Sequence, residues 1–318
     1  MQRHWPQILP VIGAAALALA LVMTQSATSD TANAPPLSPP AQGLRVYHLG
    51  HSLVGQDMPA MLEQLAQAQG FTGHHHNSQL GWGTPLRAHW EPEVEIGGFE
   101  AENDHPRFRP AHEAISSGAY DAVVLTEMVE LRDAIRYHDS PRYLALWVEA
   151  ARAANPDVRL YLYKTWHDLA HDEGWLPRLE NDPTELWEAQ LLASVWADPA
   201  LGPLHVIPAT GVLAELTRRL QAGETAPGLS RPEDLFRINP DGALDTMHLN
   251  DQGNYLIALT HFAVLYQQPA QGMPYALLTA AGDPMAPIAP AAAALLQEVV
   301  DAVLAVTPNT GLTPRAAR

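Results

Sequence analysis

The sequence contains no cysteine. Disulfides and thiolate metal sites are thereby excluded, while an oxidising compartment remains permitted. Basic residues are scarce: 18 Lys and Arg stand against 35 Asp and Glu, a formal charge of −17 over 318 residues. Nucleic acid, which needs clustered cations, is not the partner of such a chain. No internal repeat is present. Long apolar runs are also few, and the clearest is near the start, Ile8–Met23 (ILPVIGAAALALALVM), preceded by Arg3. It reads as a secretory signal or single N-terminal membrane anchor covering residues 1–34, with small residues for cleavage at Ala32-Asn33-Ala34. A Pro-rich linker follows at 35–43. What remains, 44–318, is apolar enough for a sizeable core; hydrophobic residues make up 47% of the chain, which excludes global disorder.

That remainder is organised around Leu44–Gly70. Leu44, Val46, Tyr47 and Leu49 form an apolar run of the length of a buried strand, ending at Gly50-His51-Ser52-Leu53. From Asp57 the period becomes helical, through Met58, Met61, Leu62, Leu65 and Ala66, with Asp57 as the expected N-cap and Gly70 as the stop. A serine between a strand end and a helix start lies where open parallel sheets place their ligands, and free backbone N–H groups are expected there. Such a serine needs a base, and a histidine with a carboxylate on its other ring nitrogen supplies one. Asp245-Thr246-Met247-His248 places that pair three residues apart, on what reads as a loop before a C-terminal helix.

On these two motifs the chain resembles the SGNH/GDSL hydrolases, with Gly50-His51-Ser52-Leu53 in place of Gly-Asp-Ser-Leu and Asp245–His248 as the late Asp-x-x-His. The resemblance implies a flavodoxin-like three-layer α/β/α sandwich with a mostly parallel, doubly wound sheet. It implies a serine esterase that needs neither metal nor cofactor, with Ser52, His248 and Asp245 as nucleophile, base and orienting acid. It also implies a glycine N–H as oxyanion donor; Gly83 is preferred, with Gly81 close behind. The family's Gly-x-Asn-Asp block is missing: after the strand Tyr120–Leu125 the chain reads Thr126-Glu127-Met128. Glu127 is taken to point into the site, orienting another group or meeting sugar hydroxyls. Exported relatives often act on O-acylated carbohydrates, so an acylated carbohydrate is the expected substrate and the exported side of a membrane the expected location. An O-acetyltransferase using the same triad and a non-catalytic glycan-binding module are the alternatives.

Elsewhere the pattern predicts a strand near Gly73–Leu80, a helix starting at Leu86–Trp90, loop over Glu91–Pro110 and a short helix at Ala111–Ser117. A helix over Pro141–Asn155 turns Tyr143, Leu144, Trp147, Val148 and Ala151 inward, and strands follow at Val158–Tyr163 and Leu204–Pro208. Helices are expected at Asp182–Trp196, capped by Asp182, and at Thr210–Gln221, Asp251–Leu265 and Ala289–Val306. Thr165 and Trp166 are candidates for the pocket lining, and Trp82, Trp90 and Trp166 for a sugar-stacking surface. His74-His75-His76 reads as a polar strand rather than a metal site. The alternation of strand and helix argues for one doubly wound sheet.

Overall fold

The computed structural model describes residues 1–2 and 33–313. The apolar run of the leader lies outside the described residues; among those described, no helix is long and apolar enough to cross a membrane. The chain divides into a first unit, Met1–Thr31, and a second, Ala32–Arg318, to which all that follows refers. Its elements are β1 (Arg45–Leu49), α1 (Asp57–Ala68), β2 (His75–Gln79), α2 (Leu86–Trp90), α3 (Phe99–Asn103), α4 (Ala111–Ser116), β3 (Ala122–Leu125), α5 (Leu131–His138) and α6 (Ser140–Ala154). Then come β4 (Arg159–Tyr163), α7 (Trp175–Asp182), a π-helical stretch Pro183–Leu192, α8 (Ala193–Ala197), β5 (His205–Ile207) and α9 (Ala209–Gln221). A 3₁₀ turn Pro232–Leu235, β6 (Phe236–Ile238), β7 (Leu244–Leu249), α10 (Asp251–Tyr266) and α11 (Pro290–Val306) complete the unit.

Five strands form one sheet in the order β2-β1-β3-β4-β5, every neighbouring pair parallel. The order reverses at β1, between β2 and β3, and this is the doubly wound α/β arrangement in which ligands sit beyond the carboxyl ends of the strands. Strand side chains alternate between two cores. Val46, Val124, Tyr161 and Ile207 pack beneath α1, α9, α10 and α11. Tyr47, Leu49, Val123, Leu125, Leu160 and Leu162 pack beneath α4 and α6, where Tyr143, Leu144, Trp147, Val148 and Ala151 form the stripe that the sequence marks. Gly253 lets α10 close on its neighbours: a Cβ there would stand 2.6 Å from the Leu235 carbonyl oxygen.

Several local expectations are corrected. Asp57 does not cap α1; its carboxylate instead accepts from the Ala280 N–H at 2.9 Å, tying a distant turn to the helix start. The helix expected to start at Asp182 begins at Trp175 and continues through Pro183, where the ladder changes to π spacing, and Asp182 is paired with Arg178 rather than capping. Proline has no N–H to give, so in sequence it reads as a start, whereas here the wider turn carries the helix past it. Glu91–Pro110 includes α3, and α5 adds a helix that the sequence reading does not place, although Leu131, Ala134 and Ile135 recur at helical spacing.

The Pro-rich segment is fastened to the domain. Ala34 N–H donates to Asn309 Oδ1 (3.1 Å), Leu37 N–H to the Gly311 carbonyl (2.8 Å), His205 Nε2 lies 2.9 Å from the Pro35 carbonyl, and Arg159 donates to the Ser38 carbonyl (2.8 Å). Arg159 and His205 are the first residues of β4 and β5, so this segment runs along the amino ends of the strands.

Candidate active site

Ser52 stands just past the carboxyl end of β1. Gly50 before it lies against Thr126 at the end of β3, where a Cβ would come within 2.2 Å of the threonine methyl carbon, so only glycine lets the two strand ends approach this closely. His51 then turns inward and is fully buried. Its Nδ1 accepts from the Leu53 N–H (3.3 Å), which assigns the proton to Nε2, and Nε2 meets the Glu127 carbonyl oxygen at 2.8 Å. Burial pushes this imidazole down to about 4, so it is a neutral strut under the serine turn. His89 of α2 braces the same loop from the side, with Nε2 2.7 Å from the Gly50 carbonyl and Nδ1 taking the Gln79 amide at 2.9 Å.

His248 arrives on a strand rather than on the expected loop. β6 and β7 pair antiparallel, but Phe236 is opposite Leu249 and Ile238 opposite Leu244, so β7 carries a large bulge. Asp245–His248 is the excess chain, and a bulge is a means of aiming side chains out of a ladder. Within it, Asp245 Oδ1 accepts from the N–H groups of Met247 and His248, both at 2.9 Å, and Oδ2 accepts from His248 Nδ1 at 2.9 Å. His248 Nε2 lies 3.0 Å from Ser52 Oγ. Three side chains separated by nearly two hundred positions thus form one hydrogen-bonded chain. Burial pushes the Asp245 carboxyl up, but the N–H groups of His248 and Met247 and the imidazole outweigh it, leaving the acid below its ordinary range and ionised at neutral pH.

The bulge is held from behind. Trp166, buried, donates its indole N–H to the Met247 carbonyl (2.9 Å), Leu169 N–H donates to the Thr246 carbonyl (2.8 Å), and the Thr246 hydroxyl donates to Asp168 (2.8 Å). Trp166 therefore acts through the backbone next to His248 and does not line the cavity, and Thr165 is likewise buried away from it. Trp166→Phe removes one donor while keeping the ring. It is expected to lower kcat on an ester probe by about tenfold with little change in KM, because the imidazole loses its fixed aim. Steady-state kinetics at one pH checks this.

Ser52 and His248 open into a cavity of about 720 Å³, shared with Trp82, Gly83, Glu102 and Arg237. Trp82 is 62% exposed, its indole set against Gly98, where a Cβ would come within 2.2 Å of the ring. Of the three tryptophans considered for sugar stacking it alone faces this cavity; Trp90 packs edge-on to Trp147, with ring centroids 4.8 Å apart. Glu102 and Arg237 had no signal in the sequence. Burial raises the Glu102 carboxyl above its usual range, and Arg237 is anchored by Nε to the Leu249 carbonyl at 2.8 Å.

Of the N–H groups expected to be free in the turn after β1, those of Gly55 and Gln56, which border the cavity, have no acceptor among the described residues, but the three starting at Ser52 are engaged. The N–H of Ser52 donates to the Gly81 carbonyl (3.1 Å), that of Leu53 to His51 Nδ1 and that of Val54 to the His51 carbonyl (2.9 Å). Gly81 thus serves as a prop, wedged so tightly that a Cβ would lie 2.3 Å from Ile96 and Thr84. Gly83 differs. Its φ of +52° puts it in the left-handed region, it borders the cavity, and its N–H has no acceptor among the described residues. Glu127 is also misplaced by the sequence reading. It is fully buried outside the cavity, and Oε1 accepts from the N–H groups of Leu86 (3.1 Å) and Met128 (2.8 Å), which secures the start of α2. Burial, only partly offset by these bonds, pushes its carboxyl up to about 7.

The histidine-rich strand holds no metal constellation: among the described residues, no three His, Asp or Glu side chains are arranged to grip an ion. His74 Nδ1 meets the Tyr266 hydroxyl at 2.6 Å, and His167 and His171 lie edge to face 5.8 Å apart.

No family model and no curated protein matches this sequence. Among solved structures, a carbohydrate esterase family 3 enzyme from Talaromyces cellulolyticus is similar at 18% identity, covering 70% of this chain and 97% of that one, with a TM-score of 0.37. A gut microbial diltiazem-metabolizing enzyme is similar at 13% identity over 73% of this chain and 48% of that one, with a TM-score of 0.42. A carbohydrate esterase family 2 enzyme from Corynascus thermopiles (Myceliophthora fergusii) follows at 13% identity, 54% and 58% coverage and a TM-score of 0.26.

Proposed function

We propose that the protein is a serine esterase of the SGNH type that removes a short acyl group, such as acetyl, from a carbohydrate. The observation that carries this reading is the chain from Ser52 Oγ through His248 to Asp245, with contacts of 3.0 and 2.9 Å. In the first step Ser52 Oγ attacks the ester carbonyl while His248 Nε2 takes its proton. The tetrahedral oxyanion is met by the Gly83 N–H, a donor whose removal typically costs about 3–4 kcal/mol. The imidazolium, stabilised by Asp245, passes the proton to the departing sugar hydroxyl, leaving an acyl-serine. In the second step His248 deprotonates a water that attacks the acyl carbonyl, and the serine recovers its proton as the acid leaves.

Trp82, exposed beside the nucleophile, supports a sugar as the alcohol, since an indole face offers a flat apolar platform with a polar edge. The apolar run at Ile8–Met23 supports export, either secreted, periplasmic or tethered to the outer face of a membrane. A fluorophosphonate probe tests the assignment directly. The expected result is one covalent adduct per chain, mapped to Ser52 by peptide mass spectrometry. A folded protein that takes up no label overturns the esterase and leaves the glycan-binding alternative.

A further inference from the structure

The cavity at Ser52 does not end there. At Gly55, Gln56 and Ala280 it continues into a second chamber of about 300 Å³, lined from α1, from the end of β2 and from the segment 105–107. Its roof is the turn at 278–282, fixed to α1 at two points: Ala280 N–H to Asp57 (2.9 Å) and Leu278 N–H to Gln64 Oε1 (2.8 Å).

The lining of this chamber is out of character for its place in the fold. His76 and Ser78 of β2 pair with Val46 and His48 of β1, so they share the sheet face that α1 covers. A parallel strand under a helix normally carries apolar residues there. Here the two polar residues are only 6% and 3% exposed. His76 Nδ1 stands 3.3 Å from Glu63 Oε2 without the alignment of a hydrogen bond, and Nε2 of His105, a residue that also borders the chamber, has no partner among the described residues. Both of these nitrogens are sealed from the chamber; the polar edges a ligand can meet are His76 Nε2 and Ser78 Oγ, on lining residues, neither of which has a hydrogen-bond partner among the described residues. The charges cancel, since Glu63 is paired with Arg107 at 3.0 Å. The chamber therefore presents donors and acceptors without net charge, which suits a neutral polyhydroxyl ring and not an ion or an acyl tail.

We infer that this chamber is a second sugar subsite, so that the substrate is an O-acylated neutral oligosaccharide. The ester-bearing residue sits at Ser52, and the neighbouring residue lies over His76 and Ser78. This rests on the esterase reading above.

The test is chain-length dependence. The full chain is assayed on O-acetylated gluco-, xylo- and N-acetylgluco-oligosaccharides of one to four residues. In at least one series kcat/KM is expected to rise about tenfold or more from one residue to two and then level off, because binding energy from the remote ring is used at the reacting centre. Ala60→Trp fills the chamber from the α1 side and is expected to bring that ratio close to one. If that variant does not fold, Gln67→Trp at the exposed edge of the chamber takes its place. A gain that survives the filled chamber, or no gain in any series, overturns the subsite. If p-nitrophenyl acetate is also cleaved without need of Ser52, the esterase reading fails too; cleavage that needs Ser52 but ignores chain length removes the subsite alone.

Discussion

Ser52→Ala is expected to lower kcat on p-nitrophenyl acetate by roughly 10⁴- to 10⁶-fold, the range seen when a nucleophile that acts as one unit with its base is deleted. The fold should be untouched. Ser52 is only half-buried and its hydroxyl has His248 as its one side-chain partner, so deletion leaves no buried polar group stranded. His248→Ala should lose a similar factor. Asp245→Asn is the sharper case, because the amide can keep Oδ1 as acceptor for the two backbone N–H groups of the bulge while no longer holding the Nδ1 tautomer. Its expected loss is about 10⁴-fold. Rates of all three, read beside circular dichroism spectra, check the prediction; a fully active Ser52→Ala protein would sink it.

Acid should unfold the molecule abruptly. His51, His89 and His261 are fully buried, and burial pushes each down to about 4; His74 falls to about 3 for the same reason, and His48 lies well below its usual range. In the unfolded chain these rings accept protons near pH 6.5. The folded form cannot follow, so their contribution is fully present above that pH and is lost as the pH falls toward 4. A displacement of this size is worth on the order of 3 kcal/mol per ring, so three rings rival the whole 5–15 kcal/mol that holds a typical domain together. Glu127 works the other way. Its raised carboxyl favours the fold most at low pH and gives that advantage up as the pH rises through 7, which softens the decline without reversing it. Thermal melts from pH 7.5 to 4 should show Tm dropping steeply below pH 6, and a flat profile would contradict the burial of these rings.

Why some of this was readable and some was not follows from the range of the interactions. The parallel strands show in the sequence because burial on both faces makes most of them short continuous apolar runs, and α6 shows because its buried stripe recurs about every four residues. Ser52, Asp245 and His248 show because each is carried by a short local pattern, a strand end or a three-residue spacing. The bulge that presents His248 depends on pairing between β6 and β7, and the string Asp-Thr-Met-His has no mark of it. Glu127 was misread for the same reason: its position at a strand end is local, but its partner, the N–H of Leu86, is forty-one positions away. The Ser52 N–H looked available because nothing in sequence foretells that the Gly81 carbonyl takes it. Asp182 and Pro183 imitate a helix start whose true start, Trp175, lies a full two turns earlier.

The docking of residues 34–38 along the amino ends of β4 and β5 has a directional meaning. With every strand of the large sheet parallel, that end is the base of the molecule, and Ser52 is at the opposite pole. Residue 34 thus enters the domain at the pole opposite the nucleophile, so a protein trimmed to that residue and immobilised through its new amino end is expected to keep its cleft accessible to a bulky polymer.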